Sequence, residues 1–209
     1  MSKLSKIAQD GIWKQNPALL KLLGLAPLLA VSNSFVTALC LGIVIVLVLT
    51  TSNILISFIR LFLNEDLSIP TKIVVLATFV TLADIFLQAW YFELHHRIGF
   101  FVALIVTNFS LLGRAELFTS SNPILSSAVE GFMVGVGFFW VLLIIGSVRE
   151  GLGSGTLFSN MEILLGPIGK DLEITFSDNG FLLLILPPGA FISLGILIAL
   201  KNLLSHNKI

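Results

Sequence analysis

The chain has 209 residues, with 12 Lys and Arg balanced by 12 Asp and Glu; 56% of it is hydrophobic and only 11% charged. Soluble domains carry about 25% charged residues, so this composition, at a mean hydropathy of +1.01, excludes a soluble protein and describes an integral membrane one. The zero net charge offers nothing to nucleic acid, and the lone Cys40 excludes an intrachain disulfide, a CxxC pair or a cysteine cluster within one chain.

In chain order, Met1 to Lys14 mixes Lys3, Lys6, Asp10 and Lys14 with polar residues and lacks the apolar core and small-residue cleavage site of a signal peptide. Pro17 to Val31 is apolar and is interrupted by Gly24 and Pro27. At about 1.5 Å per residue its roughly 15 residues reach about 22 Å, short of the roughly 30 Å hydrocarbon core. Phe35 to Ile59 and Ile69 to Trp90 are long enough to cross as helices. His95, His96 and Arg97 then fall in a short turn, where adjacent histidines read as solvated. Ile98 to Leu112 is again short and ends in Thr107, Asn108, Phe109 and Ser110, followed by Gly113, Arg114 and Glu116. Gly131 to Val148 and Phe181 to Leu200 supply two more long spans.

Six crossings leave room only for short loops, so residues 1–209 form a single transmembrane domain. Division near residue 95 places a short segment first in each half, followed by two long ones, and Ala38, Leu39 and Gly42 are echoed by Ala128, Val129 and Gly131. Three crossings is an odd number, so the halves (about 1–95 and 96–209) enter from opposite sides as an inverted repeat. The expected fold is therefore all-α: six transmembrane segments as two inverted three-helix repeats, the first and fourth short or broken. In such proteins the short, Gly- or Pro-interrupted segments point to the functional centre. Lys3, Lys6, Lys14, Lys21, Arg60, Lys72, Arg114, Lys201 and Lys208 fall on one side, and only Arg97, Arg149 and Lys170 on the other. By the positive-inside rule both termini are cytoplasmic. The connection from Arg149 to Gly180 then faces outward, and its Glu150, Glu162, Asp171, Glu173 and Asp178 read as solvating charge.

Asp84 sits within Ile69 to Trp90, where a charge costs about 2.5 to 3.5 kcal/mol on insertion scales unless it faces water or a partner. It is either a cation or proton relay, hence a candidate ion pathway, or a carboxyl that ties helices together. Arg114 and Glu116 read as groups that hold the second short segment in place. Glu130 opens the fifth span, where the helix dipole favours a carboxylate. Trp13, Trp90, Tyr91 and Trp140 read as interfacial anchors or lipid contacts, and Cys40 as a small buried hydrophobe.

Hydropathy alone leaves a transporter, a channel and a membrane electron carrier open. Four stretches narrow the choice: Trp13-Lys14-Gln15-Asn16-Pro17-Ala18-Leu19 leading into Leu22 to Val31; Leu104-Ile105-Val106-Thr107-Asn108 with Gly113-Arg114-Ala115-Glu116; Arg149-Glu150 with Gly153 to Phe158; and Leu186-Pro187-Pro188-Gly189-Ala190-Phe191-Ile192. In order and spacing they resemble the family shared by the A and E subunits of Rnf/Rsx electron-transport complexes and the D and E subunits of the sodium-pumping NADH:quinone reductase. The Gly153 to Phe158 and Pro187 to Phe191 stretches are most similar to the Rnf/Rsx E type.

The resemblance implies a non-autonomous subunit of an ion-translocating oxidoreductase in the bacterial inner membrane. It implies pairing with a homologous A-type subunit of opposite orientation, alongside subunits that carry flavin and iron–sulfur centres. It also implies an iron or iron–sulfur centre held by cysteines from the short helices of both partners. At those positions this chain has Ala26 and Phe109. Neither side chain can ligate iron, so no cofactor is expected on this chain alone and the interface centre is in doubt. The alternative is a scaffold or ion-conducting subunit of the same family that has lost its own redox centre. The candidate half-helix residues are Gly24, Pro27, Thr107, Asn108, Gly113, Arg114 and Glu116.

Overall fold

The computed structural model describes residues 9–14, 16, 18–20, 25–59, 68–106, 123–177 and 180–206. A π-helical turn, Asp10–Lys14, precedes helices α1 (Leu25–Val31), α2 (Phe35–Ile59), α3 (Ser68–Trp90), α4 (Phe92–Ala103) and α5 (Ile124–Gly153). A small cap follows, made of strand β1 (Thr156–Leu157), helix α6 (Glu162–Leu165), the 3-10 turn Gly166–Leu172 and strand β2 (Ile174–Thr175). The chain ends in α7 (Leu182–Ile185) and α8 (Pro187–His206).

Among the described residues, four helices are long and apolar enough to cross a membrane: Phe35–Ile59, Pro70–Trp90, Ile124–Gly153 and Pro187–Leu204. The first two keep the expected bounds almost unchanged. The third has 30 residues, about 45 Å at 1.5 Å per residue, and so overruns the expected Gly131 to Val148 at both ends. No proline interrupts it, and Pro123 stands just before its first turn, where its missing N–H costs nothing. The fourth corrects the sequence reading. Phe181 to Leu200 is not one helix, because the chain breaks at Leu186, whose φ of −69° and ψ of 161° are extended. Pro187 and Pro188 supply no N–H donors, and a residue before proline is pushed out of the α region.

Of the two short segments, Pro17 to Val31 and Ile98 to Leu112, residues 17, 21–24 and 107–112 lie outside the described residues. Helix α1 has 7 residues and α4 has 12, or about 10 and 18 Å. Helix α4 starts six residues earlier than the expected Ile98, directly after Tyr91, so His95 and His96 are helical rather than in a turn. The two short helices pack against each other, burying Leu28, Val31, Ile98 and Val102 in the common core.

That core is centred on α2 and α5, which run antiparallel. Asn53 donates to the Ser127 carbonyl (3.3 Å), and the Phe35 amide meets Glu150 at the other end. Between them lie contacts that admit no side chain: a Cβ on Gly131 would come within 2.7 Å of the Leu49 carbonyl, one on Gly135 within 2.8 Å of the Val46 Cα, and one on Gly42 would run into the Phe139 ring. Such small-residue contacts let helix backbones approach where lipid gives no hydrophobic drive. Helices α3 and α4 flank this pair as a tight hairpin.

Candidate functional site

Helix α5 ends in two adjacent charged residues that are almost fully buried, Arg149 at 2% exposure and Glu150 at 1%. The Arg149 guanidinium donates to the Leu29 carbonyl (3.0 Å) and the Ser32 hydroxyl (2.8 Å) at the end of α1. It also donates to the Leu184 carbonyl (3.0 Å) and the Ile185 carbonyl (2.5 Å), where α7 stops. One cation therefore satisfies carbonyls left open at two helix C-termini, where helix dipoles favour positive charge. Glu150 does the reverse: its carboxylate accepts from the Phe35 amide at the start of α2 (2.5 Å) and from the Ser159 amide (2.7 Å). The four segments meeting here are held by charge-assisted bonds, which are stronger than neutral ones. The reading of Glu150 as solvating charge is corrected accordingly. Glu162, in contrast, is exposed and pairs with Lys170 at 3.3 Å, and Asp171 and Glu173 are exposed. Asp178 lies outside the described residues.

A polar cavity of about 390 Å³ opens beside this junction, bordered by Asn33, Ser34, Thr37, Arg97, Glu150 and Asn160. Arg97 donates to the Asn160 side-chain oxygen (3.3 Å). The bend that presents this loop depends on Gly155, whose φ is +72° and where a Cβ would run into the Ser177 carbonyl.

Asp84 has a partner that the sequence reading missed. On α3, its carboxylate lies 3.0 Å from the His95 Nε2 of α4. The pair sits in the α3–α4 hairpin with side-chain exposures of 35% for Asp84 and 23% for His95. The His95 ring occupies space left by Gly99, since a Cβ there would stand 2.7 Å from Nε2. The expectation of a solvated His95 is corrected, because the helical start at Phe92 turns the ring toward α3. His96 remains exposed. A wider apolar groove of about 510 Å³ runs alongside, bordered by Cys40, Leu47, Phe79, Ala83, Phe86 and Leu94.

Of the half-helix residues, Pro27 is buried within α1, while Gly24, Thr107, Asn108, Gly113, Arg114 and Glu116 lie outside the described residues, as does Phe109. Ala26 stands exposed on α1, and its methyl offers no donor atom to a metal. Cys40 is buried on α2. Thiolate ligation of an iron–sulfur centre therefore does not fit the side chains present at these described positions.

Glu130 is in the second turn of α5 rather than its first, and it is 1% exposed. The helix dipole acts over the first turn, so it does not explain this residue. Trp90 is 75% exposed. Trp13 stacks on Trp140 with ring centroids 5.8 Å apart, and Asn16 locks the same N-terminal stretch to α5 by donating to the Gly137 carbonyl (2.6 Å). Its side-chain oxygen accepts from the Ala18 amide (2.9 Å). The sequence Asn16-Pro17 is a turn-opening signal that could have revealed this role.

Residues 4–198 match the family described as "Rnf-Nqr subunit, membrane protein". The chain is 47% identical over 201 residues to a Pseudomonas paraeruginosa protein named as the E subunit of an ion-translocating oxidoreductase complex, an overlap of 95% of this chain and 84% of that one. Proteins of the same name from Shewanella frigidimarina (47%) and Pseudoalteromonas atlantica (45%) are similar over 98% of this chain and 89% of theirs. With a match over nearly its whole length, the chain belongs to the Rnf-Nqr family of membrane subunits.

Proposed function

We infer that this chain is a membrane subunit of a complex that couples electron transfer to ion translocation, and that it works as a non-autonomous part of that translocase. The observation that carries the reading is near-half identity, over almost the whole chain, to proteins named as the E subunit of such a complex. That shared name does not favour the scaffold alternative.

The finer proposal has six crossings arranged as two inverted repeats in the bacterial inner membrane, with both termini cytoplasmic and a homologous A-type partner of opposite orientation. Flavin and iron–sulfur centres reside in other subunits. The antiparallel α2–α5 pair supports the repeat. Gly42 of α2 faces Phe139 of α5, and Gly131 of α5 faces Leu49 of α2, an exchange that a twofold axis in the membrane plane produces. Asp84 is the proposed ion-path residue, as a carboxylate in an apolar span.

The chain supplies no ligand to an iron centre in this proposal, because Ala26 and Phe109 stand where the resembling families carry cysteine. The double change Ala26→Cys with Phe109→Cys would then be needed before a centre could form. Two measurements test these readings. Deleting the gene should abolish donor-driven ion movement in membrane vesicles, and complementation with this chain should restore it; unaffected ion movement overturns the translocase reading. Iron content and electron paramagnetic resonance on the unmodified complex should show no centre at the interface of the two homologous subunits. A centre mapped there by mutagenesis overturns the cofactor reading alone.

A further inference from the structure

We propose that Asp84 and His95 form one exchange site that holds either a proton or a monovalent cation, with the imidazole setting which of the two is bound. The proposal rests on the ion-path reading of Asp84 and adds a chemical identity for the bound species. A carboxylate and an imidazolium, 3.0 Å apart and with both ring nitrogens protonated, share a net charge of zero with the Nε2 proton between them. Loss of that proton to water leaves a neutral imidazole and a carboxylate with a net charge of −1. An uncompensated charge is costly within an apolar helix, so a small cation that takes the proton's place restores neutrality, and the imidazole nitrogen that released the proton becomes an acceptor. No electron moves and no covalent bond to carbon changes in this step.

Among the described residues, the surroundings leave the exchange to these two groups. Helices α1 and α2, which pack on the hairpin, contain no Asp, Glu, Lys, Arg or His. Their one titratable group, the buried Cys40, borders the apolar groove with Ala83, Leu87 and Leu94. On α3 itself, Lys72 lies 12 positions earlier, about 18 Å by helical rise. On α4, Glu93 and His96 are exposed, and Arg97 is engaged by Asn160. From α6, Glu162 is held by Lys170. Both members of the pair are partly exposed rather than sealed in the core. Gly99 is part of the site, because any larger residue would push the ring off the carboxylate.

The test uses the intact complex in sealed vesicles driven by its electron donor, with Na+ as the probe cation. The Na+ concentration for half-maximal rate is measured across the imidazole range of about pH 5 to 8. One-for-one exchange predicts that this concentration rises by up to about tenfold for each pH unit of acidification. His95→Gln keeps a hydrogen-bonding side chain but removes the imidazole, and the Na+ requirement should become flat to within about twofold over the same range. Should that variant fail to assemble, Gly99→Ala displaces the ring while keeping both Asp84 and His95 in the chain, and it should flatten the slope in part. A wild-type slope retained in assembled His95→Gln, or in Gly99→Ala where only that variant assembles, overturns the proposal. So does a wild-type rate indifferent to Na+ at every pH. Asp84→Asn separates the two levels: unaltered Na+ dependence in that variant sinks the ion-path reading beneath the proposal. Lost dependence in Asp84→Asn, together with an unchanged slope in His95→Gln, overturns the exchange site alone.

Discussion

Replacing Arg149 by alanine should be among the most damaging single changes in this protein. The guanidinium donates within 3.0 Å to three backbone carbonyls and one hydroxyl on segments as far as 120 residues away, and at 2% exposure little water can take its place. Hydrogen bonds to charged groups contribute about 1.5–3 kcal/mol each, so four would sum to more than the net effect, because removing the cation also removes its own desolvation penalty. Loss of one partner from a buried charged network typically costs about 3–5 kcal/mol, and that is the expected destabilisation. For a chain of this size it corresponds to a drop in Tm of about 6–20 °C, read from tryptophan fluorescence of the purified protein heated at one fixed rate. Arg149→Lys keeps the charge, but a compact ammonium cannot span two helix ends as a planar fork does, so less than half of the loss should be recovered. A Tm for Arg149→Ala within about 2 °C of wild type, or full rescue by lysine, would show that the carbonyls do not depend on this side chain.

Single cysteines at Ser5 and Asn207 should react with a membrane-impermeant label only from the cytoplasm, and one at Asp178 only from outside; labelling of Asp178 and Asn207 from the same side refutes the six-crossing proposal. Gly135→Val should drive a side chain against the Val46 backbone, already 2.8 Å from a bare Cβ, and destabilise by about 1–3 kcal/mol as overpacking does. A Tm unchanged from wild type would mean that α2 and α5 are free to separate.

The long spans were legible because twenty or more apolar residues in a row have few other uses. The ends of those spans were not. Arg149 and Glu150 follow a hydrophobic run and precede a polar connection, so a local window assigns them to solvent. Their partners Leu29 and Phe35 lie 120 and 115 residues away, and no periodicity carries that pairing. His95 failed for a related reason: Glu93, His96 and Arg97 around it are polar, and only the start of α4 at Phe92 turns it toward Asp84. The break before α8 was different, since Pro187-Pro188 announces it in plain view and weighing hydropathy above backbone chemistry hid it.

The glycine-lined contact of α2 with α5 also has a mechanical consequence. These helices belong to different halves of the chain and interlock from Phe35 against Glu150 to Asn53 against Ser127. A cycle in which one half swings as a block against the other would have to prise this seam open along nearly its whole length. The α3–α4 hairpin, which turns on the single residue Tyr91, is tied to that seam by Leu94, Ile98 and Val102 in the common core.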